Sequence, residues 1–272
     1  MKQLKKYFRT LVVVVTALPL LLITSCNSDE PVMERPEKVY YDTAQRRMKA
    51  NNFYSAIESL EAIEARYPFG RYAEQAQSEL IYAFYMNGED EAAHEAAEKF
   101  IRLNPRHPNI DYAYFMRGIS SYTRDKGMFV RIFKSDLSNR DISGAKQAFG
   151  ELSEFLTRFP QSQYAPYASQ RLIYLRSLIA KNELVAAEYY LKRKAYVASL
   201  RRAKYVIENI PNSSETMRAL KIVRECYQAL GYFELMEDIE NVIKANGGTV
   251  IKESETFSWS FFSRKAPEPE KN

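Results

Sequence analysis

Between residues 40 and 246 the apolar positions recur in steps of three and four. Ala56, Ile57, Leu60, Ile63 and Tyr67 form one such stripe. Ala145, Ala148, Phe149, Leu152, Phe155, Leu156 and Phe159 form a second, and Leu220, Val223, Tyr227 and Leu230 a third. That spacing gathers apolar side chains on one face of a helix with 3.6 residues per turn. Sustained alternating stretches rich in β-branched residues do not occur. The pattern predicts an all-α protein.

Prolines divide this helical region. Pro68, Pro105, Pro108, Pro160, Pro166 and Pro211 all fall between periodic segments, where a residue with fixed φ and no N–H ends one helix or opens the next. Four of them close similar helices: EAIEARYP, EKFIRLNP, SEFLTRFP and KYVIENIP. Similar endings at intervals mark a helical repeat, and this one resembles the tetratricopeptide repeat, a hairpin of about 34 residues closed by proline. Twelve residues before each proline stand Ala56, Ala93, Ala148 and Ser199, small residues that let two helix backbones approach. Phe53 and Tyr196, three positions earlier, supply an aromatic in two repeats; Asp90 and Ala145 depart from that pattern. The prolines are 37, 55 and 51 residues apart, so the third and fourth units are enlarged, the third through an insertion at Thr123 to Asp141. A fifth hairpin, about Glu215 to Asn246, turns at Leu230-Gly231 and lacks a closing proline. The expectation is a solenoid of about five helix hairpins over residues 39–246, with an enlarged third repeat and an atypical, capping last one.

The first 25 residues have a different character. Lys2, Lys5, Lys6 and Arg9 precede LVVVVTALPLLLI, a thirteen-residue run without charge. A span of the hydrocarbon core needs roughly 20 residues, so this reads as a secretory signal. It ends at Ile23-Thr24-Ser25-Cys26, which resembles a bacterial lipobox, with Cys26 the residue lipidated after cleavage. The alternative is a plain signal peptide with an incidental cysteine. Acyl chains contribute about 0.8 kcal/mol per buried CH₂, and several of them anchor stably. Residues 26–38 then read as a solvated tether: they have two prolines, many charges and no aromatic. The twelve residues after Cys26 reach about 40 Å when extended. Cys226 lies inside a helical stripe and reads as a small buried thiol.

Composition narrows the function classes. Nine glycines are few for a glycine-rich nucleotide fold, and two cysteines and two histidines leave little for a disulfide framework, a zinc site or histidine catalysis. The net charge of +5 suggests an acidic partner such as nucleic acid. Four of those charges belong to the acid-free signal, however. Without it 35 basic face 34 acidic side chains, and the case for nucleic acid disappears. His94-Glu95-Ala96-Ala97-Glu98 misses the second histidine of the H-E-x-x-H zinc signature, and neither a phosphate-binding loop nor a nucleophile elbow is present. The expectation is a binding protein with no enzymatic activity, cofactor or metal.

Several longer segments carry a more specific likeness. RYPFGRYAEQAQSELIYAFY (Arg66 to Tyr85), FIRLNPRHPNIDYAYFMRG (Phe100 to Gly118), DLSNRD (Asp136 to Asp141), Ser162-Gln163-Tyr164 and RLIYLRSLIAKNELVAAEYYLKRKAYVASLRR (Arg171 to Arg202) together resemble the BamD family. These are tetratricopeptide lipoproteins of the outer-membrane β-barrel assembly machinery. The likeness covers about residues 26 to 245. It implies a periplasmic scaffold held on the inner face of the outer membrane. Its C-terminal repeats would bind the periplasmic domains of BamA, its N-terminal repeats would meet unfolded β-barrel substrates, and further lipoproteins of the complex are possible partners. Arg202 matches an arginine characteristic of the family's C-terminal binding region.

The residues themselves agree with a binder, because aromatics and arginines dominate interface hot spots. Tyr67, Phe69, Arg71 and Tyr72 gather at the first inter-repeat turn and are the expected contacts for substrate peptide; the competing reading is packing between repeats. Tyr196, Arg201 and Arg202, in a basic and aromatic run from Leu184, are the expected partner-binding residues; a solvated helix face is the competing reading. Two alternatives for the whole protein stay open: another lipid-anchored tetratricopeptide scaffold of the cell envelope, and an accessory enzyme needing a buried acid in a cleft. Residues 247–272 form a tail containing Ser258-Trp259-Ser260-Phe261-Phe262, which docks on the repeats, docks on a partner, or frays.

Overall fold

The structure, a computed structural model, describes residues 35–124 and 141–247. The chain divides into two units, Met1–Pro36 and Glu37–Asn272. Nearly all described residues lie in the second. The expected signal peptide with Cys26, most of the tether, most of the insertion in the third repeat, and the aromatic tail fall outside the described residues.

Among the described residues the second unit contains ten helices and no strand: α1 (Glu37–Lys49), α2 (Phe53–Arg66), α3 (Ala73–Asn87), α4 (Asp90–Leu103), α5 (Ile110–Arg124), α6 (Ser143–Arg158), α7 (Ala165–Lys192), α8 (Tyr196–Asn209), α9 (Thr216–Leu230) and α10 (Phe233–Asn246). They pair as five hairpins, the all-α repeat architecture expected from the periodicity. The first helix begins at Glu37, two residues before the expected start of the repeat region at residue 39.

The turns repeat as closely as the helices. Tyr67, Asn104, Phe159 and Ile210, each just before a closing proline, have φ of −130°, −123°, −130° and −128° with ψ between 54° and 59°. A following proline disfavours helical backbone at the residue before it, so all four helices stop at the same point. Each of these residues still donates its N–H to the carbonyl four residues back. Within the hairpins the reversal falls to one residue in left-handed conformation: Asn51 (φ 57°), Gly88 (91°), Lys194 (59°) and Gly231 (77°). Glycine takes that region without steric cost, whereas Lys194 does so against it.

Ala56, Ala93, Ala148 and Ser199 are all fully buried at their hairpin crossings. Ser199 keeps its hydroxyl satisfied by donating to the Ala187 carbonyl at 2.8 Å. Phe53 meets Tyr82 edge-on at 5.8 Å, whereas Asp90 and Ala145 occupy the matching places as buried small or polar residues. The fourth unit owes its extra length to α7, which runs for 28 residues. Cys226 is buried, and burial pushes its thiol pKa up.

Candidate functional site: a turn at one end and a groove at the other

The first inter-repeat turn is built on the Glu37 carboxylate. It accepts the backbone N–H of Arg71 at 3.1 Å and that of Tyr72 at 2.6 Å, which satisfies orphan donors at the start of α3. Gly70 makes this possible, because a Cβ there would lie 2.2 Å from Glu37 Oε1. Tyr72 stacks on Tyr41 with ring centroids 4.5 Å apart and planes 18° from parallel. Tyr41 then donates its hydroxyl to Glu79, a buried carboxylate that also accepts from Gln45 and Gln75. Burial and the neighbouring Glu79 hold the Tyr41 hydroxyl well above the ordinary tyrosine range.

This geometry separates the four residues expected to bind substrate. Tyr67 and Tyr72 are half-buried, the first as the cap of α2 and the second in the Tyr41 stack. Arg71 is exposed, and Phe69 is 100% exposed at the tip of the turn. The turn thus brings all four together in one place while leaving only two as open contacts.

At the C-terminal end, Glu183 of α7 is buried between two cations. Lys146 Nζ of α6 lies 3.1 Å from one carboxylate oxygen, and Arg202 Nη1 of α8 lies 2.7 Å from the other. Burial works against the carboxylate's charge, but hydrogen bonds from Arg202 and Lys146 outweigh it and hold its pKa below the usual range. Only 6% of the Glu183 side chain reaches solvent, against 50% for Arg202. Arg202, Arg201, Ala198, Tyr190, Tyr205 and Glu183 line an open groove of about 470 Å³. Tyr189 stands exposed nearby with the Arg193 guanidinium over its ring at 4.9 Å. Arg201 and Arg202 are therefore brought onto one surface. Tyr196 is not part of that lining: it is half-buried at the start of α8, where α2 has Phe53.

Between these two regions lies a polar cluster that local sequence does not signal. His94 Nε2 of α4 is 2.9 Å from Glu151 Oε1 of α6, and Glu151 also accepts from Ser121 at 2.6 Å and Gln147 at 2.9 Å. The hydrogen bond to Glu151 holds the His94 pKa above its ordinary value. Burial opposes the charge of Glu151, but hydrogen bonds from His94, Ser121 and Gln147 keep its pKa lowered. Donor atoms of His94, Glu98 and Glu151 lie within 4.8 Å of one another. His94 Nε2 is the nitrogen that meets Glu151, and this hydrogen bond links the second hairpin to the third. No helix among the described residues is long and apolar enough to cross a membrane.

The family model described as YfiO, outer membrane lipoprotein, matches residues 33–242. The chain is 34% identical over 230 residues to the outer membrane protein assembly factor BamD of Vibrio cholerae, covering 84% of this chain and 95% of that protein. It is 35% identical over 210 residues to the protein of the same name from Neisseria meningitidis, covering 77% and 78%. It is 30% identical over 239 residues to that of Pasteurella multocida, covering 88% and 92%. With the matched region running from before α1 into α10, the chain belongs to the YfiO/BamD family of outer membrane lipoproteins.

Proposed function

We propose that the protein is a non-catalytic scaffold of the outer-membrane β-barrel assembly complex, anchored through lipidated Cys26 and facing the periplasm. The observation that carries this reading is the extent of the likeness, which runs across 95% of the Vibrio cholerae BamD protein. The signal peptide and tether deliver and suspend the folded repeats, and the repeats bind. In the C-terminal groove, Arg202 directs one guanidinium nitrogen at Glu183. The planar fork has further donors, and its exposed half faces the groove together with Arg201. An acidic group on the periplasmic domains of BamA fits that surface. At the other end, Phe69 and Arg71 offer an aromatic and a cation to unfolded barrel segments, whose aromatic side chains and terminal carboxylate match them.

Affinity purification from detergent-solubilised membranes tests this directly. BamA co-purifies with the wild-type chain and is lost with Arg202→Glu at moderate salt. Retention of BamA by Arg202→Glu overturns the docking site, and absence of BamA from the wild-type complex overturns the scaffold reading. Cys26→Ser releases the protein from membranes if Cys26 bears the anchor.

A further inference from the structure

His94 and Glu98 stand four residues apart on α4 and so share one face of that helix. The expectation of a chain without a metal rested on this local spacing, which lacks a second histidine. Stacking of the repeats brings up further donors from α6, where Gln147 and Glu151 form a matching pair four residues apart. The two pairs meet at the junction of the second and third hairpins.

His94 Nε2 lies 2.9 Å from Glu151 Oε1 and 3.3 Å from Gln147 Nε2. The His94 side chain is 8% exposed and that of Glu151 13%, so both donors are held in place by packing. Ser121 of α5 donates to the second Glu151 oxygen at 2.6 Å, which keeps Oε1 turned toward the histidine. Donor atoms of His94, Glu98 and Glu151 all lie within 4.8 Å of one another. Glu98 is exposed and, among the described residues, forms no hydrogen bond or ion pair. It adds a second negative charge beside His94 that the His94–Glu151 bond does not use. Arg117, the neighbouring cation, is committed to Glu154 at 2.6 Å.

The distances suit a small cation. Tetrahedral zinc with ligands at about 2.1 Å sets them about 3.4 Å apart. The His94–Glu151 edge opens by about half an ångström to reach that value, and the others close by about 1.4 Å at most. Rotation of the exposed Glu98 side chain covers that distance. Half a turn of the Gln147 amide exchanges nitrogen for oxygen and offers a fourth donor, a place that water fills equally well. One imidazole with two carboxylates suits zinc, whereas calcium and magnesium take oxygen ligands. Ser121 is then the outer hydrogen bond that orients a ligating carboxylate.

We propose that His94, Glu98 and Glu151 bind one zinc ion, which clamps the second hairpin to the third. In metal-free buffer the His94–Glu151 hydrogen bond joins the two helices, and the cation takes the place of the proton on His94 Nε2.

The experiment uses the full chain in detergent, purified without a histidine tag and stripped with EDTA. Isothermal titration calorimetry with zinc gives one equivalent bound per chain, and saturating zinc raises the melting temperature by several degrees. Glu98→Gln leaves the metal-free melting temperature unchanged, because the side chain is exposed and unbonded. It nevertheless weakens zinc binding about tenfold or more, a loss that even outer hydrogen-bond changes reach. Glu151→Gln weakens it likewise, with the helical circular dichroism retained. Absence of saturable zinc binding by the wild-type chain overturns the proposal. Full affinity in either variant assigns the zinc to other groups, the cysteine thiols included, and overturns it too. A magnesium titration that raises the melting temperature as zinc does reduces the effect to charge screening, with the same consequence.

Discussion

Arg202 on α8 reaches back to α7 and sets Nη1 2.7 Å from the buried carboxylate of Glu183, which Lys146 holds from the opposite side at 3.1 Å. One acid thus ties three helices of two adjacent hairpins. Loss of Arg202 alone leaves Glu183 partnered, so Arg202→Ala costs about 1 kcal/mol, the scale of one charged hydrogen bond at a half-exposed site. Loss of both cations strands a buried charge, and such losses cost about 3–5 kcal/mol. Urea denaturation of the two single variants and Lys146→Ala/Arg202→Ala checks this. A double variant no worse than the sum of the singles contradicts the shared-carboxylate arrangement. The same series separates a stability effect at Arg202 from a docking effect.

His94 and Glu151 join the second and third hairpins, and their pKa directions set a pH window. His94 is raised from 6.5, so its contribution is complete below pH 6.5 and fades as pH rises through the folded value. Glu151 is lowered from 4.5, so its contribution is complete above pH 4.5 and fades as pH falls through its folded value. Both act in full between pH 4.5 and 6.5. The melting temperature of wild type exceeds that of His94→Ala most in that interval, and the gap narrows above it. A gap that stays constant from pH 5 to 9 refutes a charged pair.

The contrast between these two clusters and the helices shows what was legible from sequence. Closing prolines, small crossing residues and apolar spacing are local signals, and each acts through the geometry of its own hairpin. They therefore placed all four buried crossings at Ala56, Ala93, Ala148 and Ser199. His94 and Glu151 are 57 residues apart, and Lys146 and Glu183 37 apart. Each looks like an ordinary polar residue in its own helix, and only the stacking of repeats turns it inward. Clustering of Tyr67, Phe69, Arg71 and Tyr72 was legible for the opposite reason, since all four share one turn. Which of them pack and which project was not, because Tyr41 and Glu37, about 30 residues upstream, decide it.

Glu37 and Gly70 form a pair whose effects share one cause. Gly70→Ala pushes the Glu37 carboxylate off the N–H groups of Arg71 and Tyr72. Glu37→Ala removes the same two bonds. Each variant loses about 1–2 kcal/mol, and the double variant loses little more than either, because contacting residues are not additive. Chemical denaturation of the four proteins closes the cycle. Additive losses mean that the glycine serves some other purpose.

Phe69 and Tyr72 stand three residues apart with opposite consequences. Phe69 is fully exposed and contributes nothing to the core, so Phe69→Ser leaves the melting temperature unchanged. Tyr72 is stacked on Tyr41. Tyr72→Ser removes an aromatic pair of about 0.5–1.5 kcal/mol beyond its buried area, and with it support for the Tyr41–Glu79 hydrogen bond. Binding reads the other way. If the turn meets unfolded barrel segments through its projecting ring, Phe69→Ser weakens association with a peptide ending in an aromatic residue and a free carboxylate by about 2 kcal/mol, near 30-fold. Arg71→Ser weakens it too, and amidation of the peptide terminus cancels the Arg71 effect but not that of Phe69. Fluorescence anisotropy with a labelled peptide measures all three. Equal affinity of wild type and Phe69→Ser would leave the exposed ring without a part in substrate binding.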